Sequence, residues 1–137
     1  LNGVRDIHSA KGGMYWDGGI TDYHFDFPFH AGDDLVLYPH FSSAVIPGWF
    51  DKQVPWRRVN SKNFENVVMI VPSKEFVAEL PYGKIPDRTD FETLDYSSRV
   101  AYWSTVLEKS KRLADDFAAL VDSGTGIEDV QPFTGKR

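Results

Sequence analysis

Hydrophobic positions fall in short bursts through the first half of this chain and in one long periodic run through the second. Met14-Tyr15-Trp16-Asp17 is a brief apolar run cut off by Gly18-Gly19. It predicts a strand followed by a sharp turn, because glycine enters positive φ without steric cost. From Asp22 to Phe27 the residues alternate. Asp22, His24 and Asp26 share one face and Tyr23, Phe25 and Phe27 the other, which is the period of a half-buried strand with its aromatic side inward. Leu35-Val36-Leu37-Tyr38 is apolar without alternation and lies between Asp33-Asp34 and Pro39, as expected of a strand covered on both faces. Val67-Val68-Met69-Ile70-Val71 is the strongest strand signal, rich in β-branched residues and closed by Pro72.

Helical signals follow. Ser73 is placed to cap a short helix reaching Leu80, and Asp87 or Thr89 to cap a helical turn, with Glu92 at capping-box spacing from Thr89. Val100, Trp103, Val106, Leu107, Leu113, Phe117, Leu120 and Val121 recur at intervals of three and four. They predict a long amphipathic helix, ended by Gly124, with one face on the sheet. Residues 45–58 hold Pro47, Gly48 and Pro55 among Trp49, Phe50 and Trp56, and read as an ordered loop. The stretch 125–137 reads as a flexible tail. Strands followed by helices argue an α/β chain.

Length and composition narrow the classes. The 137 residues suit one domain, so 1–137 read as a single unit. A hydrophobic share of 42% with 26% charged residues excludes whole-chain disorder. Fifteen Lys+Arg against twenty Asp+Glu give a net charge of −5, which argues against nucleic acid as a partner. No apolar run reaches the roughly 20 residues of a membrane span, and no apolar signal-peptide core opens the chain. Without cysteine there is no disulfide framework, thiolate metal site or cysteine nucleophile. These features suit a cytoplasmic protein.

The motif with chemical content is Asp17-Gly18-Gly19, a carboxylate delivered onto a glycine turn. By itself it is also what an Asx turn looks like, with the side chain satisfying nearby backbone amides. The segment Asp17-Gly18-Gly19 with Asp22 and the aromatic stretch Tyr23 to Phe27 resembles the aspartate region of patatin-like phospholipases. Leu35-Val36-Leu37-Tyr38-Pro39-His40-Phe41 and Ile46-Pro47-Gly48-Trp49-Phe50 extend that resemblance toward a bacterial branch of the family. The resemblance implies a Ser-Asp dyad on a three-layer α/β/α fold, no cofactor, and a lipid or ester substrate. Asp17 would be the dyad aspartate, with Gly18 and Gly19 as its motif support.

Two further parts of that pattern, a glycine-rich oxyanion loop and a G-x-S-x-G nucleophile elbow, have no counterpart here. None of the ten serines has glycine two positions away on both sides, and the strained elbow needs small flanking residues. Together with a first residue that is Leu1 rather than Met, this leads to the expectation of a C-terminal portion of a larger hydrolase, whose N-terminal portion holds the nucleophile. There, a serine hydroxyl attacks the ester carbonyl and Asp17 accepts its proton. An ordinary carboxylate near pKa ~3.9 is a poor base at neutral pH, so Asp17 needs a partly desolvated setting, for which Tyr15 and Trp16 are the nearest groups.

Other features compete. Asp22, His24 and Asp26, with His30, Asp33, Asp34 and His40 nearby, are ligand types suited to zinc, iron or manganese, but at spacings of no metal signature, so the expected metal content is none. Trp49, Phe50 and Trp56 beside Lys52, Arg57 and Arg58 have the composition of an interfacial contact, which suits peripheral attachment to a membrane surface. The same loop equally suits a core-covering role. P-loop, dinucleotide and zincin motifs are missing. The alternative to a hydrolase is a non-catalytic α/β interaction module whose aromatic loop binds a partner.

Overall fold

A computed structural model describes residues 2–29, 32–54, 56–57 and 59–135. The chain is a small α/β protein with mixed helix and strand. It divides into two compact units, the first formed by Leu1–Tyr38, Ser42–Met69 and Phe133–Arg137, the second by Pro39–Phe41 and Ile70–Pro132.

Strands β1 (Val36–Pro39) and β2 (Val67–Ile70) pair in parallel as a two-stranded sheet. The Val36 N–H donates to the Asn66 carbonyl at 2.8 Å, and the His40 N–H to the Ile70 carbonyl at 2.8 Å. Both strands lie where the apolar runs predict them. β1 is not covered on both faces, however: Leu35 and Leu37 stay exposed while Val36 and Tyr38 turn inward. A two-stranded sheet has one packed side, and alternate residues of β1 therefore meet water.

The first unit's core is Val45, Val59 and Phe64, with Tyr38, Val67, Met69 and Phe133 packed against it. Phe133 lies 4.6 Å from Phe64 between ring centroids, and Gly135 is buried, so the stretch expected as a tail carries an anchor. The expected strand over Met14 to Asp17 reduces to a single antiparallel bridge between Val4 and Tyr15. No strand forms over Asp22 to Phe27; Asp22 is exposed and Tyr23 half-buried, but from His24 on the alternation is inverted. His24 is buried and Asp26 half-buried, while Phe25 and Phe27 are exposed. The physical reason is hydrogen bonding. His24 donates its N–H to the Ile46 carbonyl and accepts the Ile46 N–H on Nδ1, and Asp26 accepts from the Asn63 side chain at 2.9 Å. The polar face meets donors of the 46–63 segment, and the aromatic face has no sheet to cover.

In the second unit, α1 (Lys74–Ala78) starts on Ser73, whose hydroxyl accepts the Phe76 N–H at 3.0 Å. A 3₁₀ turn at Pro81–Gly83 leads to α2 (Asp90–Thr93) and α3 (Tyr96–Ser123). The predicted Thr89–Glu92 capping box does not form: Thr89 makes no side-chain cap, and the Asp87 carboxylate accepts the Thr89 N–H and hydroxyl instead. Asp95 caps α3 by accepting the Ser98 N–H at 3.0 Å, and Gly124 ends it at φ 61° with its N–H on the Leu120 carbonyl. Gly is the residue that reaches this left-handed stop without a Cβ clash.

The helices meet around a buried ion pair. Asp90 is fully buried, and its carboxylate takes the Lys84 ammonium at 2.6 Å, the Trp103 indole N–H at 2.9 Å and the Asp87 N–H at 3.0 Å. Tyr102, also buried, donates its hydroxyl to the Lys84 carbonyl at 2.6 Å. Lys84, bonded to Asp90 and then Asp87, has its pKa pushed up to about 12. α3 thus buries a side at Tyr102, where the Pro81–Gly83 turn lies against it. Along α3, Val100, Trp103, Leu107, Leu120 and Val121 are exposed.

Candidate functional site around Asp17

Asp17 is the N-cap of a 3₁₀ helix at Gly18–Ile20, and its Oδ1 accepts the Gly19 N–H at 2.8 Å. The turn is not the positive-φ reversal that two glycines suggest, since neither Gly18 nor Gly19 has positive φ. Gly19 is the more closely approached of the two. A Cβ there would stand 3.2 Å from the Asp17 Oδ1, whereas a Cβ on Gly18 meets nothing within 4 Å. The chain closes with Thr21 and Asp22 N–H groups both donating to the Gly18 carbonyl.

Asp17, Gly18, Ile20 and Thr21 line an open depression of about 630 Å³ together with Trp16 and Phe50. A second 3₁₀ helix, Trp49–Gln53, holds Phe50 there. Its approach depends on Gly48: the Ile20 carbonyl lies 2.8 Å from where a Gly48 Cβ would be, and the Asp51 carboxylate accepts the Gly48 N–H at 3.0 Å. Tyr23 N–H donates to the Pro47 carbonyl at 2.7 Å, which laces the two segments together. Asp17 itself is exposed. The desolvated setting that a carboxylate base needs is therefore not complete within the described residues. Tyr15 does not contribute to it, because its hydroxyl donates to the Lys11 carbonyl.

The aromatic loop separates into two kinds of residue. Trp49 meets Tyr23 edge-on at 5.4 Å, and the Lys52 ammonium sits 3.8 Å from the Tyr23 ring centre and 3.7 Å from that of Trp49. Arg57 pairs with Asp51 at 3.3 Å. Trp49 and these two cations are thus engaged within the loop's own structure, whereas Phe50 and Trp56 are 64% and 77% exposed. Pro55 and Arg58 lie outside the described residues.

Asp22, His24 and Asp26 do not converge, and among the described residues no three His, Asp or Glu side chains gather as metal ligands. His30, a member of that alternative set, lies outside the described residues. Among the described residues no helix is long and apolar enough to cross a membrane. The parts of the site that sequence reasoning missed are Ile20, Thr21 and Gly48. The Pro47-Gly48 pair signals a turn, but nothing in it signals a backbone contact with residue 20.

Compared with protein-family models, curated proteins and solved structures, the chain matches none.

Proposed function

We propose that this chain carries the general-base aspartate of a serine lipid acyl hydrolase of the patatin-like kind, forming the C-terminal part of a three-layer α/β/α enzyme. Its substrate is a phospholipid or another carboxylic ester, and its place is the cytoplasmic side of a membrane surface, attached peripherally. The observation that carries the reading is Asp17 itself: a carboxylate lining an open depression beside Trp16 and Phe50, with one oxygen bonded to the Gly19 N–H. That bond engages Oδ1, and the second carboxylate oxygen is the proton acceptor in this reading. A serine of the N-terminal portion attacks the ester carbonyl and its proton passes to Asp17, which returns it to the departing oxygen as the C–O bond of the tetrahedral intermediate breaks; the alcohol leaves and water then hydrolyses the acyl-serine. Docking of that portion over the depression completes the desolvation that raises the carboxylate's basicity.

Asp17→Asn in the complete enzyme tests this, because Asn keeps the Gly19 bond and removes the base. A positioned base contributes about 10²- to 10⁴-fold, so turnover falls by that factor while the thermal midpoint stays near wild type. Near-normal turnover in a folded variant sinks the assignment.

The exposure of Phe50 and Trp56 supports a second reading, a non-catalytic module whose aromatic loop binds a partner. For a lipid enzyme, Phe50→Ala with Trp56→Ala weakens vesicle binding and spares hydrolysis of a soluble ester. Vesicle binding that survives both changes favours the module.

A further inference from the structure

Tyr23, Trp49 and Lys52 belong to the same unit as Asp17 and form a corner that holds a cation. The Tyr23 and Trp49 rings meet at 85° with centroids 5.4 Å apart. The Lys52 ammonium sits over both, 3.8 Å from the Tyr23 centroid and 3.7 Å from that of Trp49. Elsewhere Arg99 lies over Phe91 and Tyr96 at 4.4 and 5.8 Å, a looser contact. Two aromatic rings around one centre are an arrangement that recognises alkylammonium groups, because each ring's negative face attracts the charge and its apolar surface suits the alkyl shell. Here the chain supplies the cation itself, from an exposed side chain on the short 3₁₀ helix Trp49–Gln53.

The corner adjoins the Asp17 depression. The Tyr23 Cδ2 lies 3.8 Å from the point that a Cβ on Gly19 would take, and Trp49 precedes Phe50, which lines the depression. Charge then decides which ligand fits. A simple cation has to expel the Lys52 ammonium into water and gains little more than Lys52 gives up. A simple anion draws Lys52 away and leaves the two aromatic faces empty. A zwitterion that carries a phosphate a few atoms from a quaternary ammonium satisfies both: its ammonium takes the rings, and its phosphate pairs with the displaced lysine. A quaternary ammonium also donates no hydrogen bond to water, so it loses less than a primary one on entering the corner.

We propose that Tyr23, Trp49 and Lys52 bind a phosphocholine group, with Lys52 exchanging the two rings for the phosphate. The exchange needs only rotation of the long, flexible lysine stem. The proposal rests on the reading of Asp17 as the base of a lipid acyl hydrolase, for which it names the head group, but binding is measured without turnover.

Calorimetry of the 137-residue chain, with saturation-transfer NMR on the trimethylammonium protons, tests the site with phosphocholine, choline and glycerol phosphate. Phosphocholine is expected to bind about tenfold more tightly than choline, the worth of one charge-assisted contact, and more tightly than glycerol phosphate. Lys52→Met keeps the stem and removes the charge. Choline binding then strengthens, since its tethered competitor is gone, and the advantage of phosphocholine falls below about twofold. Trp49→Leu abolishes binding of both, and Tyr23→Leu serves if that variant fails to fold. Asp17→Asn binds phosphocholine as the parent chain does, so failure of the base assignment and failure of this site give different results. Flotation with vesicles of phosphatidylcholine or of phosphatidylglycerol separates the two sources of the group. A preference for phosphatidylcholine that Trp49→Leu removes assigns the lipid head group, and binding of soluble phosphocholine without that preference assigns the free ester to the same site. No saturable phosphocholine binding, equal affinity for phosphocholine and choline in the parent chain, or undiminished binding in a folded Trp49→Leu or Tyr23→Leu chain overturns the proposal.

Discussion

Gly18 and Gly48 have different work in the structure. Gly48 lies where the Ile20 carbonyl and the Asp51 carboxylate leave no room for a Cβ, at 2.8 and 3.1 Å. Gly18 faces open space. Gly48→Ala therefore forces the two 3₁₀ segments apart and costs about 1–3 kcal/mol, the range for overpacking. Gly18→Ala changes stability by no more than about 0.5 kcal/mol, as at an unencumbered surface site. Thermal midpoints of the two variants check the difference, and equal losses would mean that the Ile20–Gly48 approach does not hold the site. Gly48→Ala should also weaken vesicle binding, since it displaces Phe50 from the depression.

At the scale of elements, the helices of the second unit owe their ends to single side chains. Ser73 satisfies the Phe76 N–H, one of the amides left without an intrahelical partner at the start of α1. Ser73→Ala is expected to cost about 1 kcal/mol, and Ser73→Asp to restore it, measured by denaturant midpoint. α3 stops where Gly124 adopts φ 61°. Gly124→Ala is expected to cost about 1–2 kcal/mol through the left-handed backbone. At its other end, the Ser97 hydroxyl first, then the Ser98 N–H and hydroxyl, hold the Asp95 carboxyl well below the usual carboxylate range, so this cap stays charged through mild acid.

At the scale of the molecule, the second unit's cohesion depends on charge and hence on pH. Hydrogen bonds from Thr89 and Lys84 lower the Asp87 pKa from 3.8 to about 2, and the Lys84 contact lowers that of Asp90. A carboxylate with a depressed folded pKa adds stability above its unfolded value and loses it as pH falls toward the folded one. Lys84 works in the opposite sense: raised from 10.5 to about 12, it adds stability below 10.5 and loses it as pH rises through about 12. The thermal midpoint of the helical signal is therefore expected to be flat between these limits and to drop below pH 3.8 and above 10.5. Asp87→Asn should flatten the acid limb, and an unaltered acid limb would show that this cluster does not control it.

Part of this molecule could be read from local pattern. β2, the Ser73 cap, the Gly124 stop and the length of α3 depend on residues within a few positions of one another, so composition and spacing suffice to place them. Asp17 at the head of a glycine turn was legible for the same reason, including the bond to a nearby amide. Which face a segment buries was not, because burial depends on what a distant stretch presents. The 22–27 segment turns His24 and Asp26 inward, since Ile46 and Asn63 supply donors that only the fold brings near. Lys52 reads as a cation for a lipid surface, yet it lies on the Tyr23 and Trp49 rings. α3 reads as a helix with one apolar face, and within its own unit it uses Tyr102 and Trp103 to hold Lys84 and Asp90, polar contacts that its spacing does not announce. Sequence determined the ends of those elements whose stops are local, such as the Ser73 start and the Gly124 end, through short-range hydrogen bonds and backbone preference. Tertiary structure alone decided which side chains face inward, because that is settled by pairing across tens of residues.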